Sequence, residues 1–144
     1  MGGVAEGAGC DSARWLAEAA SKLRAAGLPH PRRDAILLLS DALGQDKAVV
    51  LAHGEAVLSG ESLERLEGEL ARRLGREPLQ YIRGFHEFWG MRVRVGPGCL
   101  VPRPETEHLV SEALDALRAV PSPRVAEVGT GSGCVLMALA RERP

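Results

Sequence analysis

Glu127-Val128-Gly129-Thr130-Gly131-Ser132-Gly133 stands between an apolar run, Arg124 to Val128, and the stretch Cys134 to Arg141, which carries Val135, Leu136, Leu139 and Ala140. This order predicts a buried strand, a glycine loop and an opening helix, the context that a nucleotide- or cofactor-binding reading requires. Alternate glycines let the backbone turn sharply and approach a ligand with no Cβ in the way. The first N–H groups of the following helix, which have no carbonyl of their own helix to bond, point at that ligand. The spacing is G-x-G-x-G, so the third glycine comes one residue earlier than in dinucleotide-binding loops. No Gly-Lys-Ser/Thr follows, which removes a Walker loop.

Upstream, Leu109, Val110, Ala113, Leu114 and Leu117 form an amphipathic stripe, and Pro102, Arg103 and Pro104 prevent an earlier helix start. Glu105 and Glu107 fall in its first turn, where the helix dipole favours negative charge. Val120 to Pro123 reads as a rigid connector. Met91, Val93 and Val95 alternate with Arg92 and Arg94, a strand with three apolar side chains on one face, broken by Gly96, Pro97 and Gly98. Glu77 to Gly90 holds both phenylalanines, the single tyrosine and one of the two tryptophans of an aromatic-poor chain, so a different unit starts there. Tyr81, Phe85, Phe88 and Trp89 read as interdomain core rather than a ligand box.

The residues before this change of composition predict helices joined by short loops, hence antiparallel neighbours in an all-α bundle. Leu16, Ala20, Leu23 and Ala26 recur at helical spacing after Asp11, an N-cap, and before Gly27 and Pro29. A second helix begins at Pro31 and carries Ile36, Leu39 and Leu43, widened by Leu37 and Leu38, until Gly44. Asp46 to His53 is a short helix. Ser59 caps a fourth, with Leu63, Leu66, Leu70 and Leu74 inward and Gly75 at its end.

The chain has 144 residues, 45% hydrophobic and 26% charged, the balance of a globular protein rather than a disordered tail. Eighteen basic and nineteen acidic residues leave a net charge of −1, with no overall pull toward nucleic acid or an anionic membrane. Cys10, Cys99 and Cys134 lack metal or redox spacing and read as reduced thiols of a cytoplasmic protein. The four histidines share no metal spacing, so no metal site is expected. Met1 to Cys10 reads as a flexible tail with no targeting signature.

Three segments together carry a family resemblance. Glu127, two residues before Gly129, resembles the acidic residue of the first motif of class I S-adenosylmethionine-dependent methyltransferases. Glu77-Pro78-Leu79-Gln80-Tyr81-Ile82, then Gly84 and Glu87-Phe88-Trp89-Gly90, resembles the linker of HemK/PrmC enzymes. Leu100-Val101-Pro102-Arg103-Pro104-Glu105-Thr106-Glu107 looks like that family's Pro-Arg-Pro-Glu-Thr-Glu signature. After the flexible tail at 1–10, the resemblance implies a helical substrate-recognition domain at 11–76. A linker with a β-strand segment at 77–103 and an incomplete Rossmann-like methyltransferase domain at 104–144 would follow. It further implies S-adenosylmethionine as cofactor, contacted by Gly129, Thr130, Gly131, Ser132 and Gly133 with Glu127 bracing the loop. Arg103, Thr106 and Glu107 would line the pocket, unless they serve only as a helix start. The implied substrates are class 1 peptide chain release factors, methylated on the glutamine of Gly-Gly-Gln, with no direct nucleic-acid or membrane partner.

The family orients its glutamine with Asn-Pro-Pro-Tyr, and this chain contains no asparagine, so no catalytic residue is assigned. Only eleven residues follow Gly133, which leaves a strand at Arg124 to Val128 without flanking strands. The sequence therefore reads as truncated and inactive by itself. Two alternatives stay open: a methyltransferase for ribosomal protein or nucleic acid, and a non-catalytic helical binding module.

Overall fold

In the computed structural model, residues 10–144 are described, so the tail expected at 1–10 lies outside the described residues except for Cys10. The chain divides into two compact units, the first ending at Ile82 and the second running Arg83–Pro144.

The first unit contains α1 (Ser12–Ala25), α2 (Pro31–Leu43), α3 (Lys47–Ala52) and α4 (Gly60–Leu74), and α5 (Leu79–Arg83) spans its end. The N-caps expected at Asp11 and Ser59 form, and Asp46 caps α3 in the same way. Asp11, Asp46 and Ser59 have extended backbones, and their side chains accept from the amides of Arg14, Ala48 and Ser62. Helix α2 packs against α1, α3 and α4, the central position its wide apolar face requires. The buried stripes are centred differently from the sequence expectation. On α1 the core side chains are Trp15, Ala19, Ala20 and Leu23, while Leu16 and Ala26 lie at the margin. On α2 they are Ala35, Leu37, Leu38 and Leu39, with Leu43 marginal. Small Ala19 and Ala35 are buried beside Trp15 and Leu38, so the spacing of the aliphatic residues alone does not mark the stripe's centre.

Polar contacts lock this bundle. Ser12 Oγ donates to the carbonyls of His53 and Gly54 at 3.2 and 2.9 Å, and the Ala13 amide donates to Gly54 at 2.9 Å. The loop after α3 is thereby strapped across the start of α1. Arg73 Nε donates to Asp34 Oδ2 at 2.8 Å, with little of either side chain exposed, and Arg73 also bonds the carbonyl of Glu77. This joins α4 to α2 and to the chain beyond α4. Helix α4 ends with the Glu77 amide on the carbonyl of Arg72 and Arg76 on that of Arg73, the paired pattern of a Schellman turn. The left-handed residue is Arg76, φ +66°, rather than Gly75.

The second unit contains β1 (Phe85–Phe88), β2 (Met91–Arg94), α6 (Thr106–Leu117) and α7 (Cys134–Glu142). The two strands form an antiparallel hairpin with Phe85 opposite Arg94 and Phe88 opposite Met91. Its turn is Trp89-Gly90, both left-handed at φ +50° and +65°, the conformation that suits a two-residue hairpin. Val93 and Val95 are buried as the alternation requires. Phe88, Val93, Val110, Cys134, Val135, Ala138 and Leu139 make the core, with Trp89, Met91, Ala113 and Leu114 at its edge. Arg143 donates to the carbonyls of Leu117 and Val120 at 2.7 and 3.1 Å and so caps the end of α6.

Arg124 to Val128 is not a strand. The segment has no ladder partner among the described residues, and Val128 is 100% exposed with Val125 at 45%. An isolated extended run cannot satisfy its backbone groups through a sheet, so apolar content alone does not produce a buried strand. No helix among the described residues is long and apolar enough to cross a membrane.

Candidate functional site

The glycine loop leads into α7, whose N-cap is Gly133. Gly129, Gly131 and Gly133 have φ values of +76°, +56° and +74°, all in the region that L side chains rarely adopt. A Cβ at Gly129 would meet nothing within 4 Å, so it is backbone conformation rather than crowding by the protein that requires glycine there. The Gly133 amide closes the loop on the carbonyl of Thr130 at 2.8 Å, and its own carbonyl accepts from Met137 at 3.0 Å. No side chain caps α7. The amides of Cys134, Val135 and Leu136 therefore have no helical partner and form a donor-rich end beside an exposed loop.

Glu127 complements these donors. It is half-buried, and its Oε2 is buried without a hydrogen-bond partner. A carboxylate oxygen in that state costs on the order of 1–3 kcal/mol until a donor arrives. That oxygen braces nothing in the loop. The start of α7 offers amide donors and Glu127 an acceptor short of a donor, within eight residues of sequence.

The segment expected to line the pocket is divided in its behaviour. Pro102 is buried, Arg103, Pro104 and Glu105 are exposed, and Thr106 is half-buried. The Thr106, Glu107 and His108 amides bond the carbonyls of Arg103, Pro104 and Glu105 at 2.9, 3.0 and 3.1 Å, which starts α6. Glu107 does more, since its Oε1 accepts from the Trp89 amide at 2.7 Å. It also lines a pocket of about 460 Å³ with Glu87, Trp89, Gly90, Met91 and Arg92. Arg103 and Thr106 do not line this pocket.

Sequence reasoning missed the hairpin tip. Trp89 Nε1 donates to Glu142 at 2.9 Å, and Arg141 Nη1 donates to the carbonyls of Trp89 and Gly90 at 3.5 and 3.3 Å. The available signal was Gly90 between two alternating runs. Tryptophan at the first turn position concealed it, because left-handed tryptophan is uncommon.

Residues 14–84 match the PrmC N-terminal domain family. The chain is 43% identical over 130 residues to the release factor glutamine methyltransferase of Escherichia coli (strain K12), covering 90% of this chain and 46% of that protein. It is 43% identical over 122 residues to the release factor glutamine methyltransferase of Koribacter versatilis, covering 85% and 44%. It is 44% identical over 114 residues to that of Coxiella burnetii, covering 79% and 41%. The chain thus spans less than half the length of these curated relatives.

Proposed function

Because the chain belongs to the HemK/PrmC family, we propose that it serves S-adenosylmethionine-dependent N5-methylation of the glutamine in the Gly-Gly-Gln motif of class 1 peptide chain release factors. The helical domain, residues 11–76, contributes recognition of the protein substrate. Residues 104–144 open a Rossmann-like methyltransferase domain, joined through the linker at 77–103.

One observation carries the cofactor part of this reading: Glu127 Oε2 is buried without a partner two residues before three left-handed glycines and an uncapped helix. Gly129, Thr130, Gly131, Ser132 and Gly133 would hold the cofactor through backbone, and Glu127 would accept from its hydroxyl groups. When bound, S-adenosylmethionine would supply an electrophilic methyl on a sulfonium, whose neutral thioether leaves without needing a proton. What this chain's residues contribute is binding and orientation. The proposed setting is the cytoplasm, where release factors act.

The test is a chimera in which residues 1–144 precede the remaining part of the Escherichia coli relative. It is expected to transfer labelled methyl to a purified class 1 release factor, and to lose that transfer when the Gly-Gly-Gln glutamine is changed. A folded chimera that methylates nothing, or methylates the factor elsewhere, overturns the reading.

A further inference from the structure

Between Leu117, the end of α6, and Cys134, the start of α7, the chain runs without helix or strand, and the glycine loop is its last part. The connector ahead of that loop, residues 118–128, has no ladder partner among the described residues. Ser122, left-handed at φ +50°, turns it. A cavity of about 270 Å³ separates it from α7, lined by Pro123 and Val125 on the connector side and by Leu139, Ala140 and Arg143 on the other. Close packing therefore does not fix where the connector runs.

Arg143 holds it by its backbone instead. Nη1 donates to the Leu117 carbonyl at 2.7 Å and Nη2 to the Val120 carbonyl at 3.1 Å. One planar guanidinium thus grips the last residue of α6 and the first part of the connector, and joins both to the residue that ends α7. The chain from Leu117 to Arg143 is closed into a ring that contains the glycine loop. Fixing Val120 shortens the stretch left free ahead of Gly129, and a shorter closed stretch has fewer arrangements. The loop needs that restraint, because three left-handed glycines wander widely when untied. Its own closure is the bond from the Gly133 amide to the Thr130 carbonyl at 2.8 Å.

We propose that Arg143 is a positioning residue for the glycine loop: by tying the connector to the end of α7, it sets the loop backbone in the conformation that receives the cofactor. That this cofactor is S-adenosylmethionine rests on the proposed function. Amide exchange is measured on the 144-residue chain as wild type, Arg143→Lys and Arg143→Ala. Arg143→Ala is expected to speed exchange at Gly133 about fivefold or more, while Val110 and Ala138, buried in α6 and α7, keep their rates. Arg143→Lys keeps the charge without the two-pronged fork and should fall between. In the methyl-transfer chimera, Arg143→Ala should raise the S-adenosylmethionine concentration for half-maximal rate about fivefold at an unchanged maximal rate, and Arg143→Lys should recover part of that loss.

Unchanged exchange at Gly133 in Arg143→Ala overturns the proposal. So does equal acceleration at Gly133, Val110 and Ala138, which would make Arg143 a stabiliser of the whole unit with no particular hold on the loop. A faster Gly133 with an unaltered cofactor requirement in an active chimera overturns it as well. A chimera that methylates nothing counts against the parent reading alone, because exchange in the 144-residue chain decides for Arg143 with no cofactor present.

Discussion

Glu107 Oε1 accepts a hydrogen bond from the Trp89 amide at 2.7 Å, so a side chain in the first turn of α6 holds the tip of the β1–β2 hairpin. Trp89 sits at φ +50°, a conformation that costs a non-glycine residue roughly 1–2 kcal/mol. The bonds from Trp89 to Glu107 and Glu142, with Arg141 on the turn carbonyls, offset that cost. Glu107→Ala should destabilise the second unit by about 1–3 kcal/mol, because a charge-assisted bond disappears. Glu107→Gln keeps an acceptor and should lose less. Amide exchange at Trp89 measures both, and unaltered protection in Glu107→Ala would remove this role.

Gly54 is required by close approach. A Cβ there would lie 2.9 Å from Ala13 Cβ, and Ala13 cannot rotate away because its amide is bonded to the Gly54 carbonyl. Gly54→Ala should destabilise the helical unit by about 1–3 kcal/mol through overpacking. Denaturant unfolding should show a lower midpoint, and Ala13→Gly in the same chain should restore part of it.

Asp34 and Arg73 are 7% and 12% exposed and bonded at 2.8 Å. Removing one partner leaves the other without its counter-charge in a poorly solvated place, at about 3–5 kcal/mol. Arg73→Ala should therefore unfold the helical unit at markedly lower denaturant. Asp34→Ala/Arg73→Ala should fall well short of the sum of the two single losses in a double-mutant cycle.

Glu77 supplies a pH dependence. Its hydrogen bonds from Arg72, at 2.8 and 2.6 Å, hold its carboxyl below the ordinary value of 4.5, and burial opposes the shift. A lowered folded pKa means that the unfolded chain binds more protons in this range. The contribution is present above the ordinary value and disappears as pH falls through the folded one. Wild type should melt above Glu77→Gln at neutral pH, and the two curves should converge in acid.

Local chemistry was legible in the sequence where it is decided locally. Asp11 and Ser59 cap their helices as expected because an N-cap needs only its own next turn. Periodicity gave helical stripes but not their centres, since whether Trp15 or Leu16 lies deepest depends on what the facing helix presents. The strand expected at Arg124 to Val128 failed because a strand is defined by its neighbours, and apolar residues do not supply them. The hairpin was half seen. Met91, Val93 and Val95 alternated openly, but β1 carries Phe85, His86, Glu87 and Phe88 with no clean alternation. Of the candidate site, the glycine loop's conformation was readable from glycine alone. The reach of Glu107 to Trp89 was not, because it is a tertiary contact between residues eighteen apart.

Glu127 is where stability and binding should oppose each other. Its buried Oε2 lacks a partner, while the proposed ligand would bring a hydroxyl donor to it. Replacing a partnerless buried polar group by an apolar one of similar shape is neutral or stabilising. Glu127→Met should therefore leave amide exchange at Val110 and Ala138 as slow as in wild type, or slower by a factor corresponding to about 1 kcal/mol. In the methyl-transfer chimera the same change should raise the concentration of S-adenosylmethionine needed for half-maximal rate about tenfold, the loss of one charge-assisted bond. A purely structural role for Glu127 gives the opposite result, with faster exchange and an unchanged cofactor requirement.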